Sequence, residues 1–336
     1  FGQIFKPTMS PATSTSLQHM HKESQLSIEH NGDFDGNLQI GFTKLEMADR
    51  VEALLKSMGF VKDFASLVYV VSHGSSSVNN PHFSAYDCGA CCGRPGSVNA
   101  RVICHMANDS EVRSMLKERG ISIPSETRFV GALHDTSRDE IVYYDENLLS
   151  EAQKLHHAKN SQIFTESLKA NAVERSRRFV LLDKKLPKEK VFQSVRNRSV
   201  SLFEPRPELN HATNTLCIVG SRKLTKGLFL DRRAFLNSYD ASIDANGDLL
   251  YGILKAAAPV CGGINLEYFF SRVDNQRLGA GSKLPHNVMG LIGVANGIDG
   301  DLRPGLPSQM IEVHDPYRLL VIVEQSAEIV YKAIQS

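Results

Sequence analysis

The residues best suited to chemistry in this sequence are a histidine and several cysteines that lie between His73 and Gly96. His73 directly follows an apolar stretch, and a polar loop rich in Gly and Ser leads from it to Cys88. Imidazole and thiolate are ligand types that zinc favours, and small residues let a loop approach an ion closely. The segment is therefore a candidate metal site with His73 and Cys88 as ligands.

Other interpretations of the same residues stay open. Cys88 with a nearby histidine would also suit a nucleophile and base pair. Cys88 and Cys91 form a CxxC, the spacing of thiol–disulfide enzymes, although Gly and Pro follow it where a helix would be needed. The non-functional interpretation is a structural histidine with inert core thiols. His134 and Asp135 allow the same choice between an acid–base pair and a satisfied core histidine.

The cysteine content favours a reducing, cytoplasmic compartment. Six cysteines in 336 residues are too few for a disulfide scaffold, which would be shorter and denser in Cys. A structural four-cysteine zinc site would need a second CxxC, and none occurs. The cysteines are Cys88, Cys91, Cys92, Cys104, Cys217 and Cys261.

The elements around His73 predict an α/β fold. Thr43 and Glu46 have the spacing of a capping box, and apolar residues follow at helical intervals. The next apolar segment, Leu67 to Val71, is short and β-branched, as strands of parallel sheets are. Because ligands collect at the carboxyl ends of such strands, His73 lies where a site is expected.

Further strands extend this pattern. An apolar segment from Arg128 to Leu133 ends at His134 and Asp135, and two more lie at 216–219 and 319–323, the last before an amphipathic helix. We therefore expect a mainly parallel sheet flanked by helices. The predicted organisation is an irregular lead-in over 1–40, an α/β core with the His/Cys site over 41–146, a charged helical insertion over 147–210, and a continuation of the core over 211–336.

Composition and charge exclude several classes. The chain is 42% hydrophobic and 22% charged, as globular proteins are, and its formal net charge of +1 argues against nucleic-acid binding. No uncharged apolar run reaches the ~18 residues of a membrane helix, so the chain is not expected to span a bilayer alone. The basic stretch 175–206 is either a solvated helix face or a surface for anionic lipid or an acidic partner.

The sequence resembles the DabA family of bacterial inorganic-carbon transporter subunits, from about residue 40 to the end. The whole segment His73–Gly96 carries the resemblance, together with further motifs elsewhere in the chain. Those motifs are Phe129–Thr136, Arg206–Glu208, Gly227–Arg233, Val273–Asn275 with Gly279 and Gly281, His286–Val288 and Gly300–Arg303.

This resemblance implies a β-carbonic-anhydrase-like fold around zinc, with His73 and Cys88 as two ligands. The family's other two ligands come from an upstream Cys-x-Asp-x-Arg motif, which has no counterpart here, because no cysteine is followed two residues later by Asp. The resemblance assigns no catalytic residue to this sequence. Asp87, His134 and Asp135 are candidates for side chains that orient the ligands.

The implied function is zinc-dependent hydration of CO2 to bicarbonate, within an energy-coupled transporter. The family pairs with a DabB-like membrane subunit, which implies peripheral association with the cytoplasmic face of the bacterial inner membrane. With two ligands of four, the chain alone is expected to bind zinc weakly and to be inactive. The alternatives are a non-enzymatic zinc-binding module that docks a membrane partner, and an unrelated cytosolic thiol or zinc hydrolase.

Overall fold

The structure is a computed structural model that describes residue 22 and residues 26–75, 95–179, 182–183, 185–200, 213–281, 305–306 and 315–336. It confirms a mixed α/β protein whose small sheets are mainly parallel. The chain forms two compact units. The first unit takes residues 1–56, 60–177 and 181–201, and the second takes residues 57–59, 178–180 and 202–336.

The first unit contains both helices and strands. In chain order they are β1 (Phe34–Asp35), β2 (Leu38–Gln39), α1 (Lys44–Ser57), β3 (Leu67–Gly74), α2 (Ser97–Asn108), α3 (Ser110–Glu118), β4 (Arg128–Asp135), β5 (Glu140–Tyr143), α4 (Glu151–Ser176) and α5 (Lys188–Asn197). The main sheet has the order β3-β4-β5, with β3 parallel and β5 antiparallel to β4. The helices and strands predicted in this region are present.

One face of the main sheet is covered by α1, α2 and α3. The predicted capping box starts α1: the Thr43 N–H donates to Glu46 Oε2 at 2.8 Å, and the Glu46 N–H donates to Thr43 Oγ1 at 3.2 Å. The buried side chains of Val51 and Leu55 then belong to one apolar cluster with Phe129 of β4. Each such buried side chain contributes about 1.5–3 kcal/mol.

The opposite face of the main sheet is covered by α4. The Tyr69 ring of β3 contacts the rings of His157 and Phe164, and its hydroxyl lies 2.9 Å from His157 Nδ1. His157 is buried even though most of α4 is exposed. The charged helical segment therefore carries a narrow packing face, and β3 is covered by helices on both sides.

The second unit is a smaller α/β layer. Its elements are β6 (Leu216–Gly220), β7 (Ala234–Ser238), α6 (Asp248–Val273), β8 (Leu320–Val323) and α7 (Ala327–Gln335). The strand order is β7-β6-β8, and both pairs are parallel. The predicted strands at 216–219 and 319–323 and the final helix are present. The sequence reasoning did not predict β7 or α6.

Helix α6 qualifies a prediction about membranes. The sequence has no uncharged apolar run of the length that a membrane helix needs, so no membrane span was expected. The structure nevertheless contains α6, a helix of 26 residues that is long and apolar enough to cross a membrane. Buried side chains, Leu250, Cys261 and Tyr268 among them, line one side of the helix. Because apolar helices of soluble proteins pass the same test, α6 is weak support for a membrane span.

Asp244 fixes the start of α6. It is buried, and its carboxylate accepts hydrogen bonds from the Tyr239 hydroxyl at 2.8 Å, the Leu250 N–H at 2.9 Å and the Leu249 N–H at 3.1 Å. Burial by itself raises the pKa of Asp244, but these hydrogen bonds outweigh it and hold the pKa below its usual value. The ionised carboxylate therefore stabilises the helix terminus.

The substitution Asp244→Asn is expected to lower the free energy of unfolding by about 1–3 kcal/mol, because an amide replaces one acceptor oxygen with a donor. The control Asp240→Asn removes an exposed carboxylate that caps only a short turn, and it should have a smaller effect. Because the pKa of Asp244 is lowered in the folded protein, the difference in stability between the unmodified protein and Asp244→Asn has its full size above about pH 4. This difference shrinks as the pH falls through the folded-state pKa of Asp244. Urea denaturation at several pH values measures both effects.

Candidate functional site

The site begins at the carboxyl ends of β3 and β4, where two histidines are neighbours. His73 is paired in register with His134 across the parallel strands. Residues in register on parallel strands lie on the same face of a sheet, and successive residues alternate between faces. The two imidazoles therefore share the face that α4 covers, whereas Asp135 lies on the opposite face.

Gly96 connects the end of β3 to the start of α2. Its N–H donates to the His73 carbonyl at 2.9 Å. A Cβ at this position would lie 3.0 Å from the Ser72 Cβ, so a residue with a side chain would force a shift. Glycine thus allows the helix to begin directly against the strand that carries His73.

His134 faces a buried carboxylate that the sequence reasoning did not identify. Its Nε2 lies 3.6 Å from Asp139 Oδ1, and this nitrogen is buried without a closer hydrogen-bond partner among the described residues. Asp139 has a positive φ of 52°, in the turn between β4 and β5. The turn therefore brings a carboxylate back to the end of the strand that it leaves.

Asp139 is held in place by α4. Its carboxylate forms an ion pair with Arg175 and accepts a hydrogen bond from Asn171 Nδ2 at 3.0 Å. Both ion-pair side chains are fully buried, and Arg175 also donates to the Thr136 carbonyl at 3.0 Å. Burial by itself raises the pKa of Asp139, but the charge of Arg175, the nearby imidazole of His134 and the hydrogen bond from Asn171 outweigh it and lower the pKa.

The hydrogen bonds of Asp135 stabilise the turn that follows β4. Its Oδ1 accepts hydrogen bonds from the Ser137 hydroxyl at 2.8 Å and the Ser137 N–H at 3.2 Å. The side chain is buried and shapes the same turn that carries Asp139. Of the sequence candidates, His134 therefore lies beside His73, while Asp135 lies on the other face of the sheet.

Two of the predicted site residues, Cys88 and Asp87, lie outside the described residues. The ligand role of Cys88 and the orienting role of Asp87 therefore stay predictions. Among the residues that the structure does describe, no group of three or more His, Cys, Asp or Glu is arranged to hold a metal ion. The imidazoles of His73 and His134 are of a donor type that zinc accepts, but the described part of the chain does not complete a set of three ligands with them.

A cavity of about 350 Å³ lies at the other end of β4, away from His73. Its wall includes Arg101, Arg128 and Asp145. Arg101 is 1% exposed and donates from Nε to Asp145 Oδ2 at 2.7 Å and from Nη2 to Oδ1 at 2.5 Å. This bidentate pair joins α2 to the segment after β5, so its main consequence is structural.

No single signal in the sequence could have identified Asp139 and Arg175. The two residues are far apart along the chain, and an Asp in a turn and an Arg in a charged helix are both usually exposed. Their pairing depends on how α4 packs against the sheet. Only the turn composition, Thr136 to Asp139, indicated that the chain would reverse there.

Comparison with known proteins gives the same family description for the family model and for similar curated relatives. A family model described as "Probable inorganic carbon transporter subunit DabA" matches residues 1–336. A protein of that description from Azotobacter vinelandii is 62% identical over the whole chain, which covers 40% of that relative. A relative with the same description from Nitrosospira multiformis is 55% identical over 99% of the chain, which covers 37% of it.

The chain therefore spans about two fifths of the length of these curated relatives. No solved structure matches it. The similarity thus rests on sequence, and the expected likeness to β-carbonic anhydrases stays a prediction.

Proposed function

This chain belongs to the DabA family of inorganic-carbon transporter subunits, and we propose that it supplies His73 and Cys88 to a zinc site that hydrates CO2 to bicarbonate. The observation that carries the proposal is the position of His73 at the carboxyl end of a parallel strand, beside His134. Open α/β sheets place their reactive groups at that edge.

The chemistry of the proposed donors fits zinc. Imidazole and thiolate bind it at about 2.0–2.3 Å. When bound, the ion lowers the pKa of a coordinated water from 15.7 to about 7 and so supplies hydroxide at neutral pH. His73 would hold the ion from the end of β3. The buried Asp139–Arg175 pair would keep the turn after β4 fixed beside it.

The proposal includes the rest of the transporter. The family's description as a transporter subunit implies a complex that takes inorganic carbon as its substrate. We expect a DabB-like membrane subunit as the partner and the cytoplasmic face of the inner membrane as the location. An ion gradient acting through that partner would make the conversion of CO2 to bicarbonate one-way.

A non-enzymatic module that docks a membrane partner is the second candidate. Helix α6 favours it, because only 22% of its most apolar 18-residue window is buried. Exposed apolar residues on α6 include Val260, Phe270 and Val273. In this case zinc would be structural, and the apolar surface of the second unit would carry the function.

One experiment on the full-length protein with its membrane partner distinguishes the two candidate functions. The zinc content is measured by atomic absorption, and CO2 hydration is measured by stopped-flow pH change. The proposed function predicts stoichiometric zinc and hydration that depends on it. Zinc retained without any hydration in the complete complex would favour the docking module instead.

The chain of 336 residues by itself is expected to bind zinc only weakly, because two ligands out of four rarely retain the ion. Competition with a chromophoric chelator measures this affinity. Full-length protein should hold zinc at least about 100-fold more tightly. Tight, stoichiometric zinc in the 336-residue chain would contradict the proposed ligand set.

A further inference from the structure

Strand β3 has a hydrogen-bonded neighbour on only one side within the described sheet. Two contacts fix its orientation: the Ser66 carbonyl accepts from the Arg128 N–H, and the Gly74 carbonyl accepts from the Thr136 N–H, both at 2.9 Å. Because parallel pairing uses alternate residues, the even-numbered residues of β3 face β4. The N–H and C=O groups of the odd-numbered residues face the other edge.

Three of these odd-numbered residues have backbone groups that no described residue pairs with. The backbone groups of Leu67, Tyr69 and Val71 form no backbone hydrogen bond with any described residue. Val71 is 42% exposed although it belongs to the apolar part of β3, Leu67 to Val71. At the end of the strand, the Gly96 N–H donates to the His73 carbonyl on this side.

This edge lacks the features that protect natural edge strands. Such strands are short, or carry Lys, Pro or a bulge. β3 has none of these. On the far side of the sheet, β5 is an antiparallel strand of four residues that begins with the charged Glu140. Short length and a charged residue are the features expected of an edge strand. The two borders of the sheet are therefore built differently.

Both faces of β3 are already covered by helices. Val68 and Val70 pack against the apolar cluster of α1 to α3, and Tyr69 packs against α4. Parallel strands covered on both faces are interior strands of a sheet. β3 thus has helices against both faces, as an interior strand has, but the described residues provide it with only one neighbouring strand.

We infer that the open edge of β3 is covered in the full-length protein by a parallel β-strand from the part of the family's chain that lies outside these 336 residues. The curated relatives are more than twice as long as the region that this chain matches, so they contain ample sequence for such a strand. A two-fold pair of copies would instead align two β3 strands antiparallel.

The inference rests on backbone geometry and does not require zinc. Its consequence for the candidate site is direct, because a parallel strand on this edge would end beside His73. Any ligands that it carries at its carboxyl end would then lie next to His73. The interface would join two parts of one polypeptide, and the membrane partner would not be needed to form it.

Residue-resolved hydrogen exchange on the full-length protein, purified without its membrane partner, tests this interface. The Tyr69 and Val71 amides should exchange about 100-fold or more slowly than in an open strand, at rates similar to the Val70 and Ser72 amides. Val70 and Ser72 face β4 and serve as internal controls. Fast exchange at Tyr69 and Val71 beside slow exchange at the controls would overturn the inference.

Two other outcomes would also overturn it. Protection that appears only when the membrane partner is added would assign the edge to that partner. Protection that is lost when the protein is diluted to a monomer would assign it to a second copy. Protection of the monomeric full-length protein alone is the expected result.

Proline substitutions give a second, independent measurement. Val71→Pro removes an N–H that faces the open edge of β3, and the control Ile141→Pro removes an N–H that faces away from β4 on β5. Proline is tolerated on true edges but not within a sheet. Val71→Pro should speed exchange at Tyr69 and His73 at least about tenfold, and Ile141→Pro should not. Equal, negligible effects at both sites would count against the covering strand.

Discussion

Replacing His73 with Ala, or Cys88 with Ser, in the full-length protein is expected to lower zinc affinity and CO2 hydration by about 100-fold or more. Each change removes one of the two ligands that this chain contributes, and a zinc ion with an incomplete ligand set is lost readily. Zinc content and stopped-flow hydration rates, measured on the same samples, give the result. Both losses should occur together in both variants.

His156→Ala provides the matched control. His156 is exposed on α4, and its Nδ1 lies 3.2 Å from the Ser66 hydroxyl, away from the proposed site. Zinc content and hydration should both stay near the values of the unmodified protein. If His73→Ala behaves like His156→Ala, His73 is not a ligand, and its place at the strand end has only a structural meaning.

The second large effect is expected at the buried ion pair between Asp139 and Arg175. Asp139→Asn leaves the guanidinium of Arg175 charged and fully buried, which should lower the free energy of unfolding by about 3–5 kcal/mol. The double variant Asp139→Asn/Arg175→Met removes both charges and should recover part of that loss. Equilibrium denaturation of the unmodified protein, Asp139→Asn, Arg175→Met and the double variant gives the coupling energy.

The exposed pair Lys154–Glu151 supplies the comparison for this prediction. Its atoms are 2.8 Å apart, but 89% of the Glu151 side chain is exposed, so Glu151→Gln should change stability little. The lowered pKa of Asp139 fixes the pH dependence. The ionised Asp139 carboxylate stabilises the fold fully above its unfolded-state pKa of about 4. This stabilisation is lost as the pH falls through the lower folded-state pKa. A loss for Asp139→Asn no larger than that for Glu151→Gln would contradict the structural role of the pair.

The first unit could be predicted well because its local signals agree with its tertiary structure. Thr43 and Glu46 form the predicted capping box, and the apolar segments at β3 and β4 are strands that run in parallel. The strand pattern also placed His73 at the carboxyl end of β3. Local pattern could not show that His134 would be its neighbour in register, since this depends on strand pairing.

The second unit was harder to predict, for reasons that lie in particular residues. Helix α6 contains Pro259 together with Gly252, Gly262 and Gly263, all of which lower helix propensity. Buried contacts of Leu250 and Tyr268 outweigh that cost in the folded unit. Strand β7 is short and ends in polar residues, so its alternation gave no clear signal.

The central claim is that one imidazole and one thiolate from this chain bind the same zinc ion, and X-ray absorption at the zinc edge of the full-length protein tests it most directly. The claim predicts sulfur at about 2.3 Å and nitrogen at about 2.0 Å. One sulfur ligand should disappear in Cys88→Ser, and the imidazole signal should disappear in His73→Ala. A zinc spectrum that both substitutions leave unchanged would contradict the claim.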